Sequence, residues 1–132
     1  MDSMNTPDFE NFYQRLLRER GTIGLELVKP LSKNPQSWPE ELALRIAWIG
    51  QVSEWADEAE YHYQVALAEA TEALMTRDPK PAANLIEKLA KGATAKQDRC
   101  RVASAQIFKT LIVQIDAIRT LISNAKAERG VQ

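Results

Sequence analysis

The chain of 132 residues contains one cysteine, one histidine and five glycines, and each scarcity removes a class of protein or fold. Because Cys100 stands alone, neither an intrachain disulfide nor a cysteine-based metal site can form. His62 has no second histidine with which to bind a metal, so we interpret it as a residue of a helix surface. Scarce glycine beside abundant alanine, leucine, glutamate and lysine favours an all-α fold.

Long apolar runs are missing as well. The most apolar region, residues 107–122, is interrupted by Lys109, Asp116 and Arg119, which predicts that the chain does not span a membrane. Residues 1–20 lack the apolar centre of a signal peptide. Together with the single cysteine, these absences predict a cytoplasmic protein.

Charge is abundant, but its two signs are separated along the chain. The formal net charge is −1, yet residues 40–76 carry eight acids and one base, and residues 77–109 carry eight bases and three acids. Helices of opposite charge that lie side by side fix each other's orientation and register. The charge pattern therefore predicts that these two segments pack against each other.

Apolar periodicity predicts one domain over residues 1–132, which opens with a short helix over 7–20. Gly21, directly after Arg18 and Arg20, is typical of a helix end. Apolar residues then alternate with others over 23–27, a weak strand signal. We therefore predict an extended or loop segment over 21–36.

Two long helices follow, over residues 37–77 and 80–128. Ser37 and Glu40 have the spacing of a capping box at the start of the first. The short link predicts that the two helices form an antiparallel hairpin. The angular phase of the apolar residues favours one continuous second helix, and a kink near Gly92 is the alternative.

The second long helix has an unusually wide apolar surface. Over residues 107–122 this surface covers roughly half of the circumference, whereas one neighbouring helix needs a stripe of only about 100°. We therefore predict a homo-oligomer with coiled-coil-like packing. Its interface would contain Ile107, Phe108, Leu111, Ile115, Ile118 and Ile122.

Basic residues would share another face of that helix if it is continuous. This predicted basic strip consists of Lys88, Lys91, Arg99 and Lys109. Such a strip can contact the phosphates of a nucleic acid, and exposed aromatic side chains can stack on its bases. The alternative is a solvated strip whose charge the acidic helix neutralises.

Acidic residues of the first long helix offer a metal-site alternative. Glu54, Asp57 and Glu58 have the i, i+3, i+4 spacing with which helical nucleotide pyrophosphohydrolases bind Mg²⁺. The second helix offers no matching pair of acids, so we interpret the three as a solvated face. We predict no catalytic residues, no metal and no cofactor, and hence no enzymatic activity.

Three short motifs add to the order of the elements: Ala47-Trp48-Ile49, Val65-Ala66-Leu67 and Ile115-Asp116-Ala117-Ile118. Together they resemble the recombination mediator protein of T-even-like phages. That family has a short N-terminal helix, an extended segment, a long helix, a link and a long C-terminal helix. At Glu69 and Glu72 this chain is acidic where the family is basic.

The resemblance implies a small ring-forming protein that acts in the cytoplasm of the host cell. Such a protein binds single-stranded DNA and loads a recombinase onto strands coated by a single-strand binding protein. The alternative from a different class is a helical adaptor, structural or inhibitory protein that binds a protein partner and no nucleic acid. A phage morphogenesis factor or an anti-defence protein would be of that kind.

Overall fold

The structure is a computed structural model, and it describes residues 7–131. These residues form four α-helices and one turn of 3-10 helix, with no strand among them. The predicted all-α class is confirmed. The helices are α1 (Pro7–Leu27), α2 (Trp38–Met75), α3 (Ala83–Ala93) and α4 (Ala95–Val131), and the 3-10 turn, Pro35–Ser37, leads directly into α2.

Helix α1 is longer than the sequence predicted. It continues through Gly21 to Leu27, so the predicted helix end at 20 and the weak strand over 23–27 are wrong. Its buried side chains recur at helical spacing on one stripe: Phe9, Phe12, Leu16, Ile23 and Leu27. Each glycine inside a helix costs about 1 kcal/mol. Burial of Ile23 and Leu27 outweighs this cost, because each buried side chain stabilises the fold by roughly 1.5–3 kcal/mol.

A polar relay fixes the end of α1. The Leu27 carbonyl, left without a partner in its own helix, accepts a hydrogen bond from Gln114 Nε2 at 2.8 Å. Gln114 Oε1 in turn accepts from Arg45 Nε at 2.7 Å. Arg45 is only 4 % exposed, so this relay joins α1, α2 and α4 inside the protein.

The predicted capping box at Ser37 does not form. Ser37 Oγ donates to the Asn34 carbonyl at 2.8 Å and makes no cap bond to the first turn of α2. Asn34 Oδ1 accepts instead from the amide of Gln36 at 3.1 Å. Asn34 therefore caps the 3-10 turn, and α2 continues from that turn.

The predicted helix over 80–128 is broken, as in the alternative of a kink near Gly92. Thr94 separates α3 from α4 and is fully buried at 0 % exposure. Its backbone leaves the helical region, at φ −108° and ψ 18°, and its hydroxyl donates to the Ala90 carbonyl at 2.9 Å. Thr71, Thr110 and Thr120 make the same kind of side-chain bond inside unbroken helices, so the backbone angles and not the hydroxyl bond mark the break.

Helices α1, α2 and α4 pack around one core. Arg45 meets Gln114 near one end of α2, and Glu60 lies 3.8 Å from Arg101 further along, so α2 and α4 run antiparallel. Helix α1 lies against both and is parallel to α4. The main core cluster holds Phe9, Phe12, Leu16, Ile23, Leu27, Val52, Trp55, Ala59, Cys100 and Leu111.

Most residues predicted to form the oligomer interface are buried within the single chain. Leu111, Ile115 and Ile118 are 0–4 % exposed within the single chain. Ile107 and Phe108 pack partly buried against the same core, and Ile122 is half-buried. The wide apolar surface of α4 is thus covered largely by α1 and α2, and these side chains do not require a second copy to bury them.

Among residues 7–131, no helix combines the length and the apolar character that crossing a membrane requires.

Candidate functional site

The break at Thr94 divides the predicted basic strip between two helices. Lys88 and Lys91 lie on α3, whereas Arg99 and Lys109 lie on α4, and all four are exposed. Lys91 Nζ pairs with Glu87 Oε1 at 3.0 Å, and this hydrogen bond raises the pKa of Lys91. The four residues therefore do not form one strip along one helix, and their contact with nucleic acid stays a prediction.

Arg99 belongs instead to a crevice between α1 and α4. We define the basic crevice by Tyr13 and Arg20 of α1 and by Lys96, Arg99 and Cys100 of α4, with Leu16 and Leu17 completing its lining. Tyr13 and Arg20 are seven residues apart and so lie on the same side of α1. Lys96 and Arg99 are three apart and are neighbours on α4.

The three cations of the crevice act together on the Cys100 thiol. Burial raises the pKa of the Cys100 thiol, and the positive charges of Arg20, Lys96 and Arg99 partly oppose that rise. The thiol therefore stays protonated, and the wall of the crevice that it forms carries no charge. A ligand in the crevice meets three cations around a neutral, partly apolar floor.

The three cations differ in whether they already form ionic contacts within the chain. Lys96 Nζ lies 3.3 Å from Glu10 Oε2 and 4.2 Å from the centre of the Tyr13 ring, so it is already held in place. No ion pair within the described part of the chain involves Arg20 or Arg99. Guanidinium groups bind phosphate through two parallel hydrogen bonds. The crevice can therefore bind an anion beside an aromatic ring.

A second surface lies on the opposite side of the α2–α4 pair. Ile46 is 43 % exposed and Ile112 is 37 % exposed, on helix faces that point away from α1. Phe108, one turn before Ile112 on α4, is partly buried and also packs against the core cluster. We define these three residues as the open groove. Nothing in residues 7–131 covers this apolar surface.

The acidic residues of α2 divide into paired and unpaired groups. Glu58 pairs with Arg15 at 2.5 Å, while Glu54 and Asp57 are exposed and take part in no ion pair of the described chain. No group of three or more acidic, histidine or cysteine side chains in residues 7–131 could hold a metal ion. Glu54 and Asp57, with the 64 % exposed Tyr61, are defined below as the acidic face.

His62 is more than a surface residue. Its ring lies 5.5 Å from the Phe9 ring and 5.2 Å from the Phe12 ring, measured between centroids. Burial lowers the pKa of His62, and the nearby carboxylates of Glu58 and Asp8 oppose that effect. The neutral ring therefore helps to join α1 to α2.

Sequence analysis missed Tyr13, Arg20 and Lys96 as candidate site residues. Because α1 was predicted to end at Gly21, Arg20 was assigned to a helix terminus rather than to a packed face. Continuing the apolar spacing through Ile23 and Leu27 would have extended α1. The predicted helix over 7–20 already places Tyr13 and Arg20 on one side, but the packing of that side against Lys96 and Arg99 is not visible in the sequence.

Comparison with known proteins gives no further assignment. No protein-family model matches the chain, and no curated protein or solved structure matches it either.

Proposed function

We propose that this protein is a non-enzymatic helical protein that binds single-stranded nucleic acid through the basic crevice. This is the activity expected of a recombination mediator, which helps to load a recombinase onto strands coated by a single-strand binding protein. The observation that supports the proposal is the convergence of Arg20, Lys96 and Arg99 around Tyr13. Cations bind the phosphates, and a base would stack on the face of the Tyr13 ring that Lys96 does not cover.

The proposal predicts how the protein distinguishes its ligands. A crevice that contacts phosphates and stacks on a base does not read base edges, so binding should be independent of sequence. The bases of a duplex are already stacked, so single strands should be preferred. One crevice holds few cations, so tight binding should require several copies bound side by side along one strand.

The direct test is titration of a fluorescent oligothymidine with the full chain at low salt. The double variant Arg20→Glu/Arg99→Glu should lose most binding, because both available cations become repulsive. The matched control is Lys33→Glu/Lys126→Glu, which changes the net charge equally at exposed lysines outside the crevice. Equal loss in both variants would show that binding is a nonspecific response to net charge.

A second candidate function is supported by the open groove. Exposed Ile46 and Ile112 beside Phe108 are typical of a surface that binds an amphipathic helix of a protein partner. On this proposal the protein is a helical adaptor or inhibitor that binds no nucleic acid. It replaces the first proposal if the wild-type chain shows no salt-sensitive binding to single-stranded DNA.

A further inference from the structure

Two outer surfaces of the bundle carry opposite and unpaired charges. We infer that a second copy of this chain docks its acidic face, Glu54, Asp57 and Tyr61, into the basic crevice between α1 and α4. This contact goes beyond the proposed function and does not rest on it, since no nucleic acid takes part.

The charges of the two surfaces are complementary. Glu54 and Asp57 are exposed and take part in no ion pair within residues 7–131. The basic crevice offers Arg20 and Arg99, which also lack an ion pair within the described residues. Exposed apolar side chains accompany both charge sets: Tyr61 at 64 % exposure on one surface, and Leu17 at 40 % on the other.

The two surfaces face opposite directions, so one molecule cannot join them to each other. Glu54, Asp57 and Tyr61 lie on the side of α2 opposite its buried residues Val52 and Ala59. The basic crevice opens between α1 and α4, on the side of the bundle away from α2. A contact between unlike surfaces is head-to-tail, and opposed surfaces favour an open array over a closed ring.

The two surfaces also lie at the same level along the bundle. The indole nitrogen of Trp55 donates a hydrogen bond to Glu19 Oε2 at 2.6 Å. Arg20 therefore lies level with Glu54 on the antiparallel α2. Glu60 lies 3.8 Å from Arg101, which places Arg99 level with Tyr61 and His62. A copy displaced sideways without rotation would therefore bring Glu54 and Asp57 towards Arg20, and Tyr61 towards Arg99.

Because Glu54, Asp57 and Arg99 are exposed and Arg20 is only half-buried, the contact should be weak and sensitive to salt. It should also compete with any single-stranded nucleic acid, since both would occupy the basic crevice. An acidic helix with exposed carboxylates and an aromatic ring offers the crevice the same chemistry as a phosphate chain with a base.

The test is sedimentation velocity of the full chain without nucleic acid, at low and at high salt. Wild type should sediment faster at low salt as concentration rises, and as a monomer at high salt. Glu54→Lys/Asp57→Lys and Arg20→Glu/Arg99→Glu should each be monomeric at low salt. The control Glu72→Lys/Glu128→Lys makes the same charge change at exposed carboxylates outside the acidic face and should associate like wild type.

The decisive arm mixes the two monomeric variants in equal amounts. One then presents two basic surfaces and the other two acidic surfaces, so they should associate with each other although neither associates alone. Circular dichroism and thermal unfolding confirm that each variant is folded, and the acidic-face variant changes only exposed residues. A monomeric wild type at low salt, or unaltered association of the acidic-face variant, would overturn the inference.

Discussion

The α2–α4 pair has two sides, and within residues 7–131 helix α1 covers one of them and not the other. On one side α1 buries Phe9, Phe12 and Leu16 against the pair. On the other side Ile46 and Ile112 stay partly exposed. The comparison shows that a wide apolar surface on a helix specifies how many neighbours it needs, but not whether they come from the same chain.

The two sides also differ in their polar contacts. The covered side is fixed by the Arg15–Glu58 pair and by the Arg45–Gln114 relay to the carboxyl end of α1. It also carries the basic crevice, because α1 supplies Tyr13 and Arg20. The open groove has no such fixed polar contact at Ile46 or Ile112. Helix α1 therefore contributes both stability and the candidate site.

The largest difference between the sides should appear on truncating adjacent residues of α4. Leu111→Ala removes a fully buried side chain and should lower the free energy of unfolding by about 2–5 kcal/mol. Ile112→Ala, at a side chain 37 % exposed, should cost roughly 1 kcal/mol or less. Urea unfolding measures both, and equal losses would mean that a partner or second copy buries Ile112 in solution.

A smaller effect should follow from breaking the relay at the end of α1. Gln114→Ala leaves buried Arg45 and the Leu27 carbonyl without this partner and should cost about 1–3 kcal/mol. Hydrogen exchange should become faster in the last turn of α1 and stay unchanged in α3. Gln106→Ala, at an exposed position of α4, is the matched control. Unchanged exchange near Leu27 would contradict the role given to the relay.

The smallest effect is on the pH dependence of stability, through His62 at the contact between α1 and α2. Burial lowers the pKa of His62 below its ordinary 6.5, so the unfolded chain binds the proton more readily than the folded one. This contribution to stability is complete above pH 6.5 and is lost as pH falls from there through the folded pKa. Urea midpoints across this range should fall less in His62→Gln than in wild type. If the urea midpoints of both proteins fall equally, the loss of stability comes from carboxylates and not from His62.

The sequence predicted the elements of this protein better than their ends. Apolar periodicity over many turns located α2 and the helical character of α4, because such patterns depend on the local chain. The end of α1 depends on Gln114, which is 87 residues away from Leu27. The break at Thr94 falls at a fully buried residue, and burial is set by packing between helices.

The candidate site was predicted only in part for the same reason. Arg99 was identified from local charge, and its position on α4 is exposed as expected. Tyr13 and Arg20 join it because α1 packs parallel to α4. A pattern within one helix does not contain that information, since it arises from packing between helices.

The most direct test of the central claim is the salt dependence of single-strand binding. For single strands, the slope of log K against log salt concentration is about −0.7 for each phosphate contact. Arg20→Ala/Arg99→Ala should therefore make the slope shallower by about 1.4, whereas Lys88→Ala/Lys91→Ala on α3 should leave it unchanged. The opposite result, with the α3 lysines changing the slope and the crevice arginines not, would contradict the basic crevice as the binding site.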